Sequence, residues 1–387
     1  MNAGILLRLT RSAAIAFLFS FPAAAAPVIV VDAASGRVLH SEDAFLRWSP
    51  ASLTKLMTAY VAFREIESGR LNLKSPVRIS TNAAHNPPSH MAYPVGTIIT
   101  LENALKMIIV KSANDIAVAI GESIAGTEED FVIRMNQEAH FLGMTDTNFE
   151  NPNGLHADGQ YSTARDLAIL TRAIRTQYPQ YADLFSIEAI RDGERVYKTY
   201  NDLIGRFQGA DGMKTGYVCE SGFNLAASAT QDGRTMIAII LGEIGPKGRA
   251  ERAATLLQKA FDTGDETGLP LITDLAKTPD TPETPVDMRP IVCSDAGRAA
   301  RQSERGEPFD TALLTDLDRP PVAVAVGKGG AIGSSRSATM VLGKMVKEVP
   351  LPADKPERVT LVDEDDRARY ALEPGFDVPV PDRRPET

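Results

Sequence analysis

Apolar residues recur along this chain with two different periods. Val28 to Asp32 and Arg37 to His40 are short apolar runs on either side of Ala33-Ala34-Ser35-Gly36, which predicts a β-hairpin. From Pro50 to Glu67 the period becomes helical. Leu53, Leu56, Met57 and Tyr60 share one face behind a proline start. Leu101 to Val110 and Asp115 to Ile124 predict two further apolar helices, joined at Lys111-Ser112-Ala113-Asn114. Thr127 to Asp130 has the form of a capping box that opens another helix, and Gly143 ends it. Ser162 or Thr163 caps a helix that runs to Gln177. Then Gly212 to Val218, Gly222 to Thr230 and Thr235 to Gly242 read as strands, the last two turning at Gln231-Asp232-Gly233-Arg234. Gly248 to Phe261 predicts a final helix. A hairpin, a block of helices, three strands and a helix make an α+β pattern. It predicts one antiparallel sheet that unites the first hairpin with the later strands and is flanked by helices.

After Thr263 the pattern weakens. Fifteen of the 25 prolines lie from Pro270 onward, and Thr278 to Pro290 is rich in Pro, Thr and acidic residues, as linkers are. Pro321 to Val326 and Thr339 to Val346 are candidate strands in this part. The polar, proline-rich end from Phe376 to Thr387 reads as disordered. At the other end, Arg8 and Arg11 precede and enter an apolar stretch from Ser12 to Phe21, followed by Pro22-Ala23-Ala24-Ala25-Ala26. That is the form of a secretory signal peptide cleaved near Ala24 to Ala26. The stretch is well short of the roughly 20 residues of a spanning helix. The expected division is therefore a signal peptide (1–26), a main domain (27–264) and a proline-rich, acidic linker and C-terminal region (265–387), with no transmembrane helix left after cleavage.

The formal net charge is −9, and there is no basic run. This argues against nucleic acid as a partner, since phosphate binding needs clustered Lys and Arg. The five histidines include no His-Glu-x-x-His pair, so no zinc centre is expected, and no other cofactor. Cys219 and Cys293 can pair in an exported protein, or remain as two free thiols.

Three short motifs carry chemistry: Ser52-Leu53-Thr54-Lys55, Ser112-Ala113-Asn114 and Lys214-Thr215-Gly216. Each alone is weak. Together they occur in order on a helix start, an interhelical loop and a strand. Ser52 and Lys55 share a face of one helical turn, so the amine can take the hydroxyl proton, provided that burial or a second cation destabilises the ammonium. Lys214 can be that cation, or can hold a substrate carboxylate. Ser112 can relay a proton to a leaving amine. Asn114 can bond the substrate amide or Lys55. The backbone N–H groups of Ser52 and Tyr217 can form an oxyanion hole.

The set resembles the serine penicillin-recognising enzymes, which include penicillin-binding proteins and serine β-lactamases. DGMKTGYVCESGFNLAASA from Asp211, SPASLTKLMTAYVA around Ser52 and GQYSTARDLAILTRAI from Gly159 resemble low-molecular-mass D-alanyl-D-alanine carboxypeptidases. The resemblance covers Pro27 to Phe261. It implies a transpeptidase/β-lactamase-like fold and a periplasmic serine hydrolase that removes the terminal D-alanine from peptidoglycan stem peptides and is acylated by β-lactams. In this frame Ser52, Lys55 and Ser112 are catalytic, and Asn114, Lys214, Thr215, Tyr217 and Arg249 bind substrate. Arg249, in Lys247-Gly248-Arg249, matches the family's carboxylate-binding arginine. The bland reading of Arg249 is a surface residue at a helix start. The family's best-known members add a β-rich domain and an amphipathic anchoring helix, and the residues after Thr263 match neither.

Three other readings use the same motifs. A D,D-endopeptidase would cut cross-links. A serine β-lactamase would need a deacylating glutamate, for which Glu150-Asn151-Pro152-Asn153 is misplaced by one residue. A non-catalytic scaffold would not require the intact serine and lysine set.

Overall fold

β1 (Val28–Asp32) and β2 (Val38–Glu42) form the expected hairpin in a computed structural model that describes residues 26–331. A 3-10 turn, Ala51–Thr54, runs straight into α1 (Lys55–Glu67). A short ladder of β3 (Pro76–Arg78) and β4 (Ile98–Thr100), with α2 (Thr81–Ala84) between them, leads into the helical block. The block contains α3 (Leu101–Lys106), α4 (Asn114–Ala125), α5 (Glu128–Phe141) and α6 (Ala164–Gln177). The capping residues act as read. Thr127 Oγ1 accepts from Asp130 N and Thr163 Oγ1 from Asp166 N, each satisfying an orphan donor of its helix. The helix expected up to Val110 is α-helical only to Lys106. It then widens into a π-helical turn, Met107–Lys111, that delivers Ser112 in a left-handed conformation.

A hairpin that the sequence pattern does not predict follows: β5 (Ala189–Asp192) and β6 (Arg195–Lys198). Three of the four β6 residues are exposed, so no alternation marks it. Then come β7 (Ala210–Val218), β8 (Gly222–Gln231), β9 (Arg234–Glu243) and α7 (Pro246–Phe261).

The main sheet has the order β2-β1-β9-β8-β7 and is antiparallel throughout, so the N-terminal hairpin does join the late strands. Both of its faces are covered. Ile29, Val31, Ile237 and Ile239 point into a core shared with α1, α4 and α6, whereas Val28, Val30, Met236, Ala238 and Ile240 point into a second core under α7. This is why β1 and β9 are continuous apolar runs rather than alternating ones: each side chain on either face removes apolar area from water. The order leaves β7 on a free edge.

The linker expected after Gly264 is corrected here. Up to residue 331 the chain stays on the body. Ile272 N donates to Gly36 O (2.9 Å), Val286 N to Arg47 O (3.2 Å) and Met288 N to Glu220 O (3.0 Å). Two short helices, α8 (Arg289–Val292) and α9 (Asp295–Ser303), follow, and β10 (Ala323–Val326) pairs in parallel with β5. Ile272, Met288, Val292, Leu314 and Val326 are buried. The averaged composition is that of a linker, but isolated apolar anchors spaced along it fill notches in the body. The cysteines pair: a disulfide joins Cys219 to Cys293 across 74 residues. The candidate strand Thr339–Val346, the polar end from Phe376 and the signal-like segment before Ala26 lie outside the described residues.

Candidate active site

The 3-10 turn that carries Ser52 is fixed by the core face it shares with α1. Leu53, Leu56, Met57 and Tyr60 are wholly buried. The approach to it is fixed as well. Asn224 on β8 donates to Ser49 O (2.9 Å) and accepts from Gly242 N (3.0 Å), and Trp48 Nε1 donates to Ser221 O (2.8 Å). These bonds clamp the 48–51 segment onto the β7–β8 end of the sheet. Gly216 on β7 packs so closely there that a Cβ would stand 3.0 Å from both Ser52 N and Pro50 O. A side chain at 216 would push the free edge of β7 away from the Ser52 backbone. Gly154, at φ +82°, approaches from the other side, and a Cβ would collide with Ala51 O.

Three residues after Ser52, the Lys55 amine donates to Ser52 Oγ (3.0 Å), Asn114 Oδ1 (2.8 Å) and the Asn153 carbonyl. Lys55 is fully buried. Burial, and next the charge of Lys214, hold its ammonium well below the usual lysine range, against an upward pull from Asp115. Lys214 is buried too, and donates to Ser112 Oγ (3.0 Å) and Thr215 O (2.8 Å). Its pKa is lowered to about 7, first by burial and then by the neighbouring charge of Arg249. The two serines thus each face their own lysine, and burial presses both lysines towards the neutral form. Ser112 holds its position in the left-handed region (φ +60°), a strained conformation for a residue with a side chain.

Arg249 is not on the surface. It is 4% exposed, donates to Tyr200 O (2.9 Å) and meets Asp202 Oδ2 at 3.3 Å. Its buried Nε has no hydrogen-bond partner among the described residues. Burial lowers its pKa, opposed by Asp202.

Ser52, Lys55, Ser112, Asn114, Lys214 and Thr215 therefore come together, and Arg249 lies within electrostatic reach of Lys214. Tyr217 lies two residues further along β7, 41% exposed, with its ring 4.3 Å from that of Phe223. Sequence reasoning missed three residues. Asn153, whose carbonyl accepts from Lys55, sits in the Asn-Pro-Asn-Gly turn, which the sequence does not mark as part of the site. The Glu150 carboxylate instead accepts from Asn148 Nδ2 (2.9 Å). Asp115 is buried behind Asn114, where its carboxylate accepts from the backbone N–H groups of Met91, Ala92 and Ile116. The loop it ties down in turn holds Asn114, through Asn114 Nδ2 to Pro87 O (2.9 Å) and Asn114 N to Ser89 O (2.7 Å). Asn224 is the third. The adjacency of Asp115 to the Ser-Ala-Asn motif was the one available signal.

The family model described as D-alanyl-D-alanine carboxypeptidase matches residues 19–245. The chain belongs to that family, peptidase family S11. It is 36% identical over 237 residues to D-alanyl-D-alanine carboxypeptidase DacD of Escherichia coli (59% of this chain, 61% of that protein). It is 33% identical over 247 residues to DacF of Bacillus subtilis (60% and 61%). The chain thus spans about three-fifths of the length of these curated relatives. Among solved structures it resembles penicillin binding protein 6B from Escherichia coli, with a TM-score of 0.58 at 35% identity over 64% of this chain and 81% of that one. It also resembles the cefotaxime-bound form of penicillin-binding protein D2 from Listeria monocytogenes, with a TM-score of 0.56 at 26% identity over 62% and 97%. The fold of this S11 member is α+β, with an antiparallel sheet flanked by helices, as the sequence implied.

Proposed function

We propose that this S11 member is a serine D-alanyl-D-alanine carboxypeptidase that works through an acyl-enzyme on Ser52. One observation carries the reading: a fully buried lysine amine, pressed towards its neutral form, within 3.0 Å of the Ser52 hydroxyl. The neutral Lys55 amine takes the hydroxyl proton as Ser52 Oγ bonds to the carbonyl carbon of the penultimate D-alanine. The oxyanion so formed is stabilised by the Ser52 N–H and by an N–H of the β7 edge at Tyr217. When the C–N bond breaks, Ser112 gives its proton to the departing D-alanine amine, and Lys214 replaces it through their 3.0 Å hydrogen bond. Once Lys55 has passed its extra proton to the now neutral Lys214 across the vacated leaving-group site, water adds to the ester carbonyl and gives a proton to Lys55, which returns one to Ser52 Oγ as the ester C–O bond breaks. The free carboxylate of the terminal D-alanine is held by Lys214, Thr215 and Arg249. The buried, partly unsatisfied guanidinium of Arg249 favours a terminal carboxylate over a cross-link, and so carboxypeptidase over endopeptidase action. The site acts after export, in the periplasm, on the stem peptides of peptidoglycan, and β-lactams acylate the same serine.

Product analysis on cell-wall fragments tests this. The expected product is free D-alanine from pentapeptide stems, with a penicillin adduct mapped to Ser52 by mass spectrometry. Cleaved cross-links without D-alanine would replace the reading by an endopeptidase. An adduct on another residue would remove Ser52 as the nucleophile.

A further inference from the structure

The mechanism uses β7 as far as Tyr217 and leaves the next turn unexplained. That turn is where the C-terminal segment is fastened. Cys219 is bonded to Cys293, at the end of α8. Met288 N donates to Glu220 O (3.0 Å), and Arg289 Nη1 lies 3.5 Å from Glu220 Oε1. A covalent bond, a backbone hydrogen bond and an ion pair thus tie three residues of the segment to two residues of the turn. The fastening point borders the site. The Tyr217 hydroxyl lies 3.3 Å from Cys293 Sγ. The ring of Phe223, which pairs with Tyr217 across the ladder, carries the guanidinium of Arg249 on one hand (5.9 Å) and that of Arg301 from α9 on the other (5.7 Å). One aromatic pair therefore contacts both Arg249 and the segment that the disulfide fastens.

This surface meets a definite part of the substrate. The leaving group of a carboxypeptidase is a single D-alanine, and its carboxylate is taken up by the Lys214 and Arg249 cations. Tyr217 stands two residues beyond Thr215, about 7 Å further along the edge at the rise of a β-strand. Tyr217, whose N–H serves the oxyanion, marks the reacting carbonyl, and the turn at Cys219 continues from there away from Thr215, so a wall at this turn faces the acyl side, the stem residues that precede D-alanyl-D-alanine.

We propose that the Cys219–Cys293 bond holds the 288–303 segment as a wall of the substrate groove beside Tyr217, and that this wall determines specificity for the stem-peptide residues upstream of the scissile bond. This rests on the proposed D,D-carboxypeptidase reading. The wall touches no reacting atom. It acts by fixing the exposed Tyr217 ring, which is otherwise free to turn on its two side-chain torsions, against the sulfur of Cys293 and the face of Phe223.

The test compares three substrates on the full chain: benzylpenicillin, N-acetyl-D-alanyl-D-alanine and a complete stem pentapeptide. In the double variant Cys219→Ser, Cys293→Ser, the first two rates should stay within about twofold of the parent, because Ser52, Lys55 and Lys214 keep their own hydrogen bonds. The pentapeptide should lose roughly tenfold in kcat/KM, carried by KM, the size expected for one lost pocket contact. Circular dichroism checks that the variant is folded. Should it fail to fold, the parent protein, reduced under native conditions and alkylated at the freed thiols, gives the same comparison. A parallel fall for all three substrates makes the segment a support of the catalytic residues and overturns the proposal. Unchanged pentapeptide kinetics overturn it as well. If the parent forms no penicillin adduct and releases no D-alanine from either peptide, the underlying carboxypeptidase reading has failed instead.

Discussion

Replacing Arg249 by Met separates the carboxylate-binding role proposed for its guanidinium from its structural contacts with Tyr200 and Asp202. The substitution keeps most of the buried volume and removes the charge and the fork. Its structural cost is modest. The bond to Tyr200 O and the contact with Asp202 are lost, but the Asp202 side chain is 35% exposed and water can take over its oxygens, so about 1 kcal/mol of stability is at stake. The catalytic cost is larger. A forked, charge-assisted contact to the terminal carboxylate is worth about 1.5–3 kcal/mol, so kcat/KM on peptides ending in D-alanyl-D-alanine should fall roughly 10- to 100-fold. Arg249→Lys, with the charge but not the fork, should fall between the two. The pH profile gives an independent readout. Arg249 is the second cause, after burial, of the lowering of Lys214 to about 7. Removing that like charge raises the Lys214 pKa, so the basic limb of the kcat/KM profile that reports loss of the Lys214 proton should move to higher pH. The assay is release of D-alanine between pH 5.5 and 10, with penicillin acylation of Ser52 measured alongside. Acylation should persist, since Lys55 keeps its three partners. An unchanged kcat/KM, or a basic limb that moves down, would refute the carboxylate role. It would leave Arg249 as a tie for the 200–202 segment.

Two further outcomes follow from the same geometry. The Lys214 pKa falls on folding from 10.5 to about 7, so between these values the unfolded chain binds the proton more tightly and stability rises with pH. Lys214→Met abolishes this dependence. Its Tm relative to the parent, measured by calorimetry, should be most favourable at pH 6 and least at pH 10, with D-alanine release lost. A difference that does not vary with pH counts against the burial argument. A chain ending at Gly264 gives up the disulfide, the buried Ile272, Met288 and Val292, and the strand paired with β5. Closure of a loop this long contributes about 4 kcal/mol by chain entropy, so the Tm should drop by roughly 10 °C or more. A truncated chain with the parent's Tm would show that the segment adds no stability.

Most of the candidate site is legible in the sequence because its parts are local. Three residues along a helical turn place a lysine beside a serine wherever the helix lies in the fold, and that spacing is visible in Ser52 and Lys55. The strands of the main sheet were legible from their apolar runs, and the helix starts from Thr127 and Thr163, because capping is decided within four residues. Chain partners far apart in sequence were not legible. Lys214 meets Ser112 across 102 residues and Asn153 meets Lys55 across 98, and no local pattern encodes those approaches. The burial that presses both lysines towards neutrality is a property of the packed core, not of the motifs. The route of residues 265–331 is not legible for the same reason. Proline content describes the unfolded chain's preferences, whereas Ile272, Val292 and Cys293 are decided by single notches and one sulfur that exist only once the sheet and helices have closed around them.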